Sequence, residues 1–392
     1  MMWYMHVYHL ENKMSRKYYI INGSKAFFNN YIPREEYNCE IKSFMELVQL
    51  SDQRRNNKIP FDEDDKAEVL IVKNEHYHGI TEQAHDRLGG LIEELTLEDA
   101  KIYVHNPPIV LKEYINQLKE QGQIECHENC EEYHITKDAE NFVRNMKEIG
   151  ERIIGQNIAI EEISKSMWYL TKAERKKPYV IMLYGNSSLG KTELVREISK
   201  CFFEGKWLEK HLSMFKNDKY SDYFFGERPN RKSLGYDLLE RESNLIFLDE
   251  IDKCPQYFYS AFYTLFDNTV FMDATYEVDI SGTIIILTSN FSSKDEMKKY
   301  LGLPIYYRID KFIHFEDFMD DSIYKITMNE INLRKNEYQS EFTAEQIYAE
   351  VSSLINITGE NARTIKYKVQ KVIENMLFSE ISKAYGANDY KI

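Results

Sequence analysis

One stretch limits the possible folds more than any other. Tyr179, Val180, Ile181, Met182 and Leu183 are strand formers, Gly185-Asn186-Ser187-Ser188-Leu189-Gly190-Lys191-Thr192 follows, and Glu193 to Lys200 has helical spacing. A strand, a glycine loop and a helix in this order let backbone N–H groups turn inward around phosphate oxygens at a helix start. Gly185 to Thr192 are therefore candidate phosphate-binding residues. Lys191 is placed to reach β- and γ-phosphates and Thr192 to ligate Mg²⁺, so the chain should contain an α/β domain with a parallel sheet.

Two more apolar runs fit the same sheet. Leu245 to Leu248 reads as a buried strand ending in Asp249 and Glu250, and Thr283 to Leu287 as another ending in Thr288-Ser289-Asn290. Ligands of parallel sheets collect at the carboxyl ends of the strands. There Asp249 would hold Mg²⁺ through water, Glu250 would orient or deprotonate an attacking water, and the Asn290 amide would reach the γ-phosphate or that water. In the last third, Ile347, Val351, Leu354 and Ile355 form one helical stripe, and Ile365, Val369, Val372, Ile373, Met376 and Leu377 form a second, which predicts a helical lid.

From about Gly150 onward these residues resemble the AAA+ ATPases, and more narrowly the C-terminal ATPase module of the Clp-type unfoldases and disaggregases. "YGNSSLGKTEL", "IFLDEIDKCP" and "IIILTSN" are similar to that family's phosphate loop, second nucleotide motif and first sensor. Gly150-Glu151-Arg152-Ile153-Ile154-Gly155-Gln156 resembles its adenine-contacting segment, "YYRIDKFIHF" its finger box and "GENARTIKYKVQ" its second-sensor box. The resemblance implies adenine contacts from Ile154, Gly155 and Gln156, a sensor role for Asn290, an arginine finger at Arg308 and a second sensor at Arg363. It also implies ATP and Mg²⁺ as ligands, a homo-oligomeric ring, hexameric in the family, and a macromolecular substrate, a protein before a nucleic acid. The expected division is an accessory α/β domain over 1–148, a nucleotide-binding subdomain over 149–316 and a small helical lid over 317–392.

The departures are local. Asn186 replaces the proline after the first glycine, and Tyr307 replaces the asparagine before the finger. The family's aromatic gripping loop corresponds here to residues 223–235, which look shortened, with Arg228, Arg231 and Lys232 in the space. Tyr223, Phe224 and Phe225 are either gripping residues or core. Leu301-Gly302-Leu303 invites comparison with a peptidase-docking tripeptide but lies too close to Arg308, so no peptidase partner is expected.

Upstream, Val69 to Val72, a helix capped by Thr81 and running through Leu95, and Ile102 to Val104 read as a β-α-β unit. Residues 53–66 read as a charged linker dividing this region, and Gln123 to Thr136 as a hairpin. Cys126, His127, Cys130 and His134 carry zinc-ligand chemistry but lack paired ligand spacing. A formal net charge of −14 argues against a general polyanion binder. No run approaches the ~18 apolar residues of a membrane span, and five scattered cysteines do not form a disulfide framework. The expected location is cytoplasmic, with no membrane partner.

Overall fold

A computed structural model describes residues 15–33, 40–133, 135, 137–217, 220–335, 337, 342–355 and 359–385. Its strands are β1 (Lys17–Asn22), β2 (Ile41–Ser43), β3 (Ala67–Val72), β4 (Thr96–His105), β5 (Glu125–Cys130), β6 (Tyr179–Tyr184), β7 (Leu208–His211), β8 (Leu245–Asp249), β9 (Val270–Met272), β10 (Glu277–Asp279), β11 (Ile284–Thr288) and β12 (Lys311–His314). The chain divides into two compact units. The first holds 1–133, 217–242 and 268–280, and the second holds 134–216, 243–267 and 281–392.

The first unit is built on a parallel sheet of order β2-β3-β4-β1-β5. Val69 to Val72 are all buried because β3 lies inside the sheet, where an unbroken apolar run fits. β5 pairs in parallel with β1 after the helix Ile109–Glu120, so the expected hairpin over 123–136 is a single crossover strand. The supposed linker is instead the end of the helix Phe44–Asn56, followed by a 3-10 turn at Glu63–Asp65, and β2 and β3 on either side of it share one sheet. The region before residue 133 is therefore not divided there. Thr81 caps the short helix Glu82–His85, and the chain breaks at Arg87 (φ −119°, ψ 22°) before a second helix, Leu88–Glu94. That break lets His85 bury its ring against the Tyr77 carbonyl (2.7 Å) and Gly89 pass close to Tyr114, where a Cβ would lie 2.1 Å from the ring.

The segments 217–242 and 268–280 belong to this unit by their contacts. The β9-β10 hairpin is tied to 217–242 through Asp273, which accepts from the backbone N–H of Gly235 (3.1 Å), Thr275 (2.8 Å) and Tyr276 (2.7 Å). Ile109 N–H donates to the Thr275 carbonyl (2.9 Å), and Tyr236 packs against His78 at a ring separation of 4.7 Å. Phe224 is 2% exposed, Tyr223 OH donates to Asp237 (2.8 Å), and Arg228 and Arg231 both pair with Asp222. Of the two readings of these aromatics, Phe224 fits core.

The second unit has a parallel sheet of order β12-β6-β11-β8-β7. Its inner strands are apolar up to their last residue, and the helix Lys191–Phe202 packs Leu194, Val195 and Ile198 into the core. The helices Asp320–Lys335, Ala344–Ser352 and Ala362–Tyr385 follow. Ile347, Val351, Ile365, Val369, Val372 and Ile373 are buried as the two stripes require, whereas Leu354 lies past its helix and is exposed. No helix among the described residues is long and apolar enough to cross a membrane. The described residues hold no group of three or more metal-ligating side chains, and His134 of the Cys126/Cys130 constellation lies outside them.

Candidate nucleotide site

A cleft of about 650 Å³ opens in the second unit at the carboxyl ends of β6, β8 and β11, a size suited to a small organic ligand. Ser187 to Thr192 line it, with Ser188 at φ +60° and Gly190 at φ +102°, so successive backbone N–H groups turn before the helix Lys191–Phe202 starts. Gly185 (φ +132°) lies behind the loop, where a Cβ would sit 2.4 Å from the Phe315 carbonyl oxygen. Only glycine fits so close an approach.

Lys191 is buried, and its Nζ donates to the carbonyls of Gly185 and Asn186, both at 2.7 Å, and to Asn290 Oδ1 at 3.4 Å. Burial pushes its ammonium down to about 8, against the pull of Asp252 and Asp249. An ammonium drawn out of water and aimed into a cleft beside acidic groups is suited to an anionic ligand. Phosphate would favour the charged form, so binding takes up a proton at and above pH about 8. Nucleotide affinity should then weaken up to tenfold per pH unit between about pH 8.5 and 10. Titration calorimetry in buffers of different ionisation enthalpy would read the proton uptake. The sign for folding is opposite: with Lys191 lowered from 10.5 in the unfolded chain, its contribution to stability rises as pH climbs through the same window.

The acids are positioned by β11. Thr288 Oγ1 donates to Asp249 Oδ1 and accepts from the Glu250 backbone N–H (3.0 Å), while Asn290 N–H donates to Asp252 (3.3 Å). Glu250 holds φ +58°, ψ 51°, a left-handed conformation costing a non-glycine residue about 1–3 kcal/mol, which fits a side chain whose direction matters. Arg363 lines the cleft from the start of the last helix, and Ala362 N–H donates to the Ser188 carbonyl (3.2 Å), tying that helix to the phosphate loop.

This architecture has known relatives. Residues 176–380, just over half of the chain, match the family model described as AAA domain (Cdc48 subfamily). The chain belongs to the AAA+ family. Its module is of the Clp type, similar to the chaperone protein ClpB of Chlamydia muridarum (22% identical over 366 residues, covering 83% of this chain and 42% of the relative). The ClpB of Clostridium perfringens is 23% identical over 371 residues, with the same shares covered. The chain thus spans less than half the length of these relatives.

Within the AAA+ cleft, Ile154, Ser187, Ser188, Leu189, Gly190, Lys191, Thr192, Asp249, Glu250, Asn290 and Arg363 are brought together. Five expected residues are not on its wall. Gln156 is buried, its amide paired with the backbone of Glu316 (2.9 and 3.2 Å), and Gly155 (φ +78°) passes so close to Ser322 that a Cβ would meet its Oγ at 2.7 Å. Both shape the cleft from behind, as Gly185 does, and Asn186 turns outward to Asp317 (2.8 Å). Arg308 donates to the Pro304 carbonyl (2.7 Å), lies over the Tyr263 ring and sits 3.7 Å from Asp267. Asp310, its neighbour in sequence, pairs with Arg175 instead (2.7 Å).

Sequence reasoning missed Lys366, one turn beyond Arg363, and Arg152 and Arg196, three further cations on the cleft wall. It also missed His211, whose Nδ1 lies 3.2 Å from Asp249 Oδ2. The i, i+3 spacing from Arg363 could have found Lys366. His211 is visible only through the register that sets it opposite Asp249.

Proposed function

We propose that this chain binds Mg-ATP in the AAA+ cleft, hydrolyses it, and works as a ring that remodels a macromolecule, a protein before a nucleic acid. The observation that carries the reading is that Lys191, Asp249, Glu250, Asn290 and Arg363, from four separate segments, line one cleft. The turned N–H groups of Ser187 to Gly190 cradle phosphate oxygens and Lys191 neutralises them. Thr192 and Asp249 would hold Mg²⁺, which would offset the negative charge of the phosphates. Glu250 orients and deprotonates the attacking water, Asn290 fixes its position, and Arg363 reports nucleotide state to the lid helices that carry it.

Arg308 acts on the nucleotide of a neighbouring subunit, a role supported by its place off the wall of its own cleft. Arg308→Ala and Glu250→Gln subunits should each be inactive alone. Mixed, they should recover turnover at interfaces that pair an intact finger with an intact Glu250. No recovery at any ratio, with mixed rings seen by native mass, would remove the trans role.

A second reading is an ATP-switched assembly that does not thread its substrate, and the burial of Phe224 together with the Asp222 pairs of Arg228 and Arg231 favours it. The readings separate in one ATPase assay. Stimulation by an unfolded casein-like protein supports the remodelling motor, stimulation by neither protein nor nucleic acid supports the switch, and steeply salt-dependent stimulation by single strands or duplexes would displace both.

A further inference from the structure

The two sheets repeat one strand order. Numbered in chain order within each sheet, both read 5-1-4-3-2, with every neighbouring pair parallel. In the second unit, the ends of strands one, three and four carry the phosphate loop, Asp249-Glu250 and Asn290. In the first unit, the same three ends carry Gly23-Ser24-Lys25, Lys73-Asn74-Glu75 and His105-Asn106. The glycine loop is cut to three residues there, and Asn74 follows strand three where the second unit has its acids.

A carboxyl group nevertheless occupies that place, and the chain supplies it. Glu240, from 217–242, accepts at Oε1 from Asn74 Nδ2 (2.7 Å) and Asn106 Nδ2 (3.5 Å), and the same oxygen lies 3.7 Å from His105 Nδ1. One donor thus comes from the end of strand three and one from the end of strand four. Asn106 takes φ +46° and is itself locked to Gly23 by two amide–backbone bonds of 2.9 Å. The space left beside Glu240 is about 20 Å³, enough for one water.

We propose that the first unit is a second copy of the nucleotide-binding fold in which the Glu240 carboxylate stands in for a phosphate, making the unit a nucleotide-independent clamp on residues 217–242. The clamp holds whether or not the second unit hydrolyses ATP, so it stands apart from the functional reading above. The test uses the full chain. A non-hydrolysable ATP analogue should bind once per wild-type chain and not at all to Lys191→Ala; binding that persists in Lys191→Ala and disappears on adding Lys25→Ala would overturn the proposal. By hydrogen exchange, Glu240→Gln should raise the rates over 217–242 and 268–280 by tenfold or more while analogue binding stays unchanged. Equal rates in the two proteins would also overturn it. Glu240→Gly should regain protection in those segments with millimolar inorganic phosphate or acetate, to which the wild type does not respond. A variant protected equally without either anion would show that no anion is needed there.

Discussion

Glu250→Gln lowers ATP turnover at least about 10²-fold while nucleotide affinity stays within a few-fold of wild type. The side chain keeps its length but loses the carboxylate that, in the proposed mechanism, takes the water's proton. The rest of the cleft is retained: Asp249 still accepts from Thr288, Lys191 still lines the cleft, and the residue 250 N–H still donates to Thr288. A single-turnover assay beside an equilibrium binding measurement separates the two effects. Wild-type turnover would remove Glu250 from the chemistry, and an equal loss of binding would make its role structural.

Phe224→Ala costs about 3–5 kcal/mol of stability, as a fully buried phenylalanine does. The helix Ser221–Phe225 ends at Gly226 in a left-handed conformation (φ +64°), where a Cβ would meet the Asp273 carboxylate at 2.5 Å. Phe224 is thereby fixed edge-on to Tyr223, at a ring separation of 5.4 Å. Phe225 is only partly buried and should cost less when truncated. Denaturant unfolding followed by exchange in the first unit reads the loss. A Phe224→Ala protein of unchanged stability that had lost substrate-stimulated hydrolysis would instead make the aromatic a gripping residue.

The second unit was largely legible in the sequence, because its strands are continuous apolar runs that end in chemistry. That Lys191, Asp249 and Asn290 meet at one cleft could be read from the sequence, since parallel strands in adjacent register bring their ends together. Gly155, Gly185 and Gln156 read in the sequence as ligand contacts, whereas none lines the cleft: Gly155 and Gly185 allow close approaches and Gln156 hydrogen-bonds the Glu316 backbone, which only three dimensions reveal. In the first unit, β5 reads as polar and nothing local marks it as parallel to β1, so its pairing was misread as a hairpin. The strand order of that unit was not legible at all, because the ends of β1, β3 and β4 carry Gly23-Ser24, Lys73-Asn74 and Asn106 rather than a long glycine loop and paired acids. Nor does anything near Glu240 in sequence point to strand ends more than 130 residues earlier.

The alternation of the chain between its two units bears on how the protein is made. At Tyr133 an emerging chain has all five strands of the first sheet, yet Asn74, Asn106 and the His78 ring still lack Glu240 and Tyr236, and the rest of the unit arrives only with residue 280. Between those points the chain must begin a different sheet, β6 to β8, which waits in turn for β11 and β12. Neither unit can finish before the other has started, so folding proceeds through long-range closures rather than domain by domain, a slow order that leaves strand edges open during synthesis.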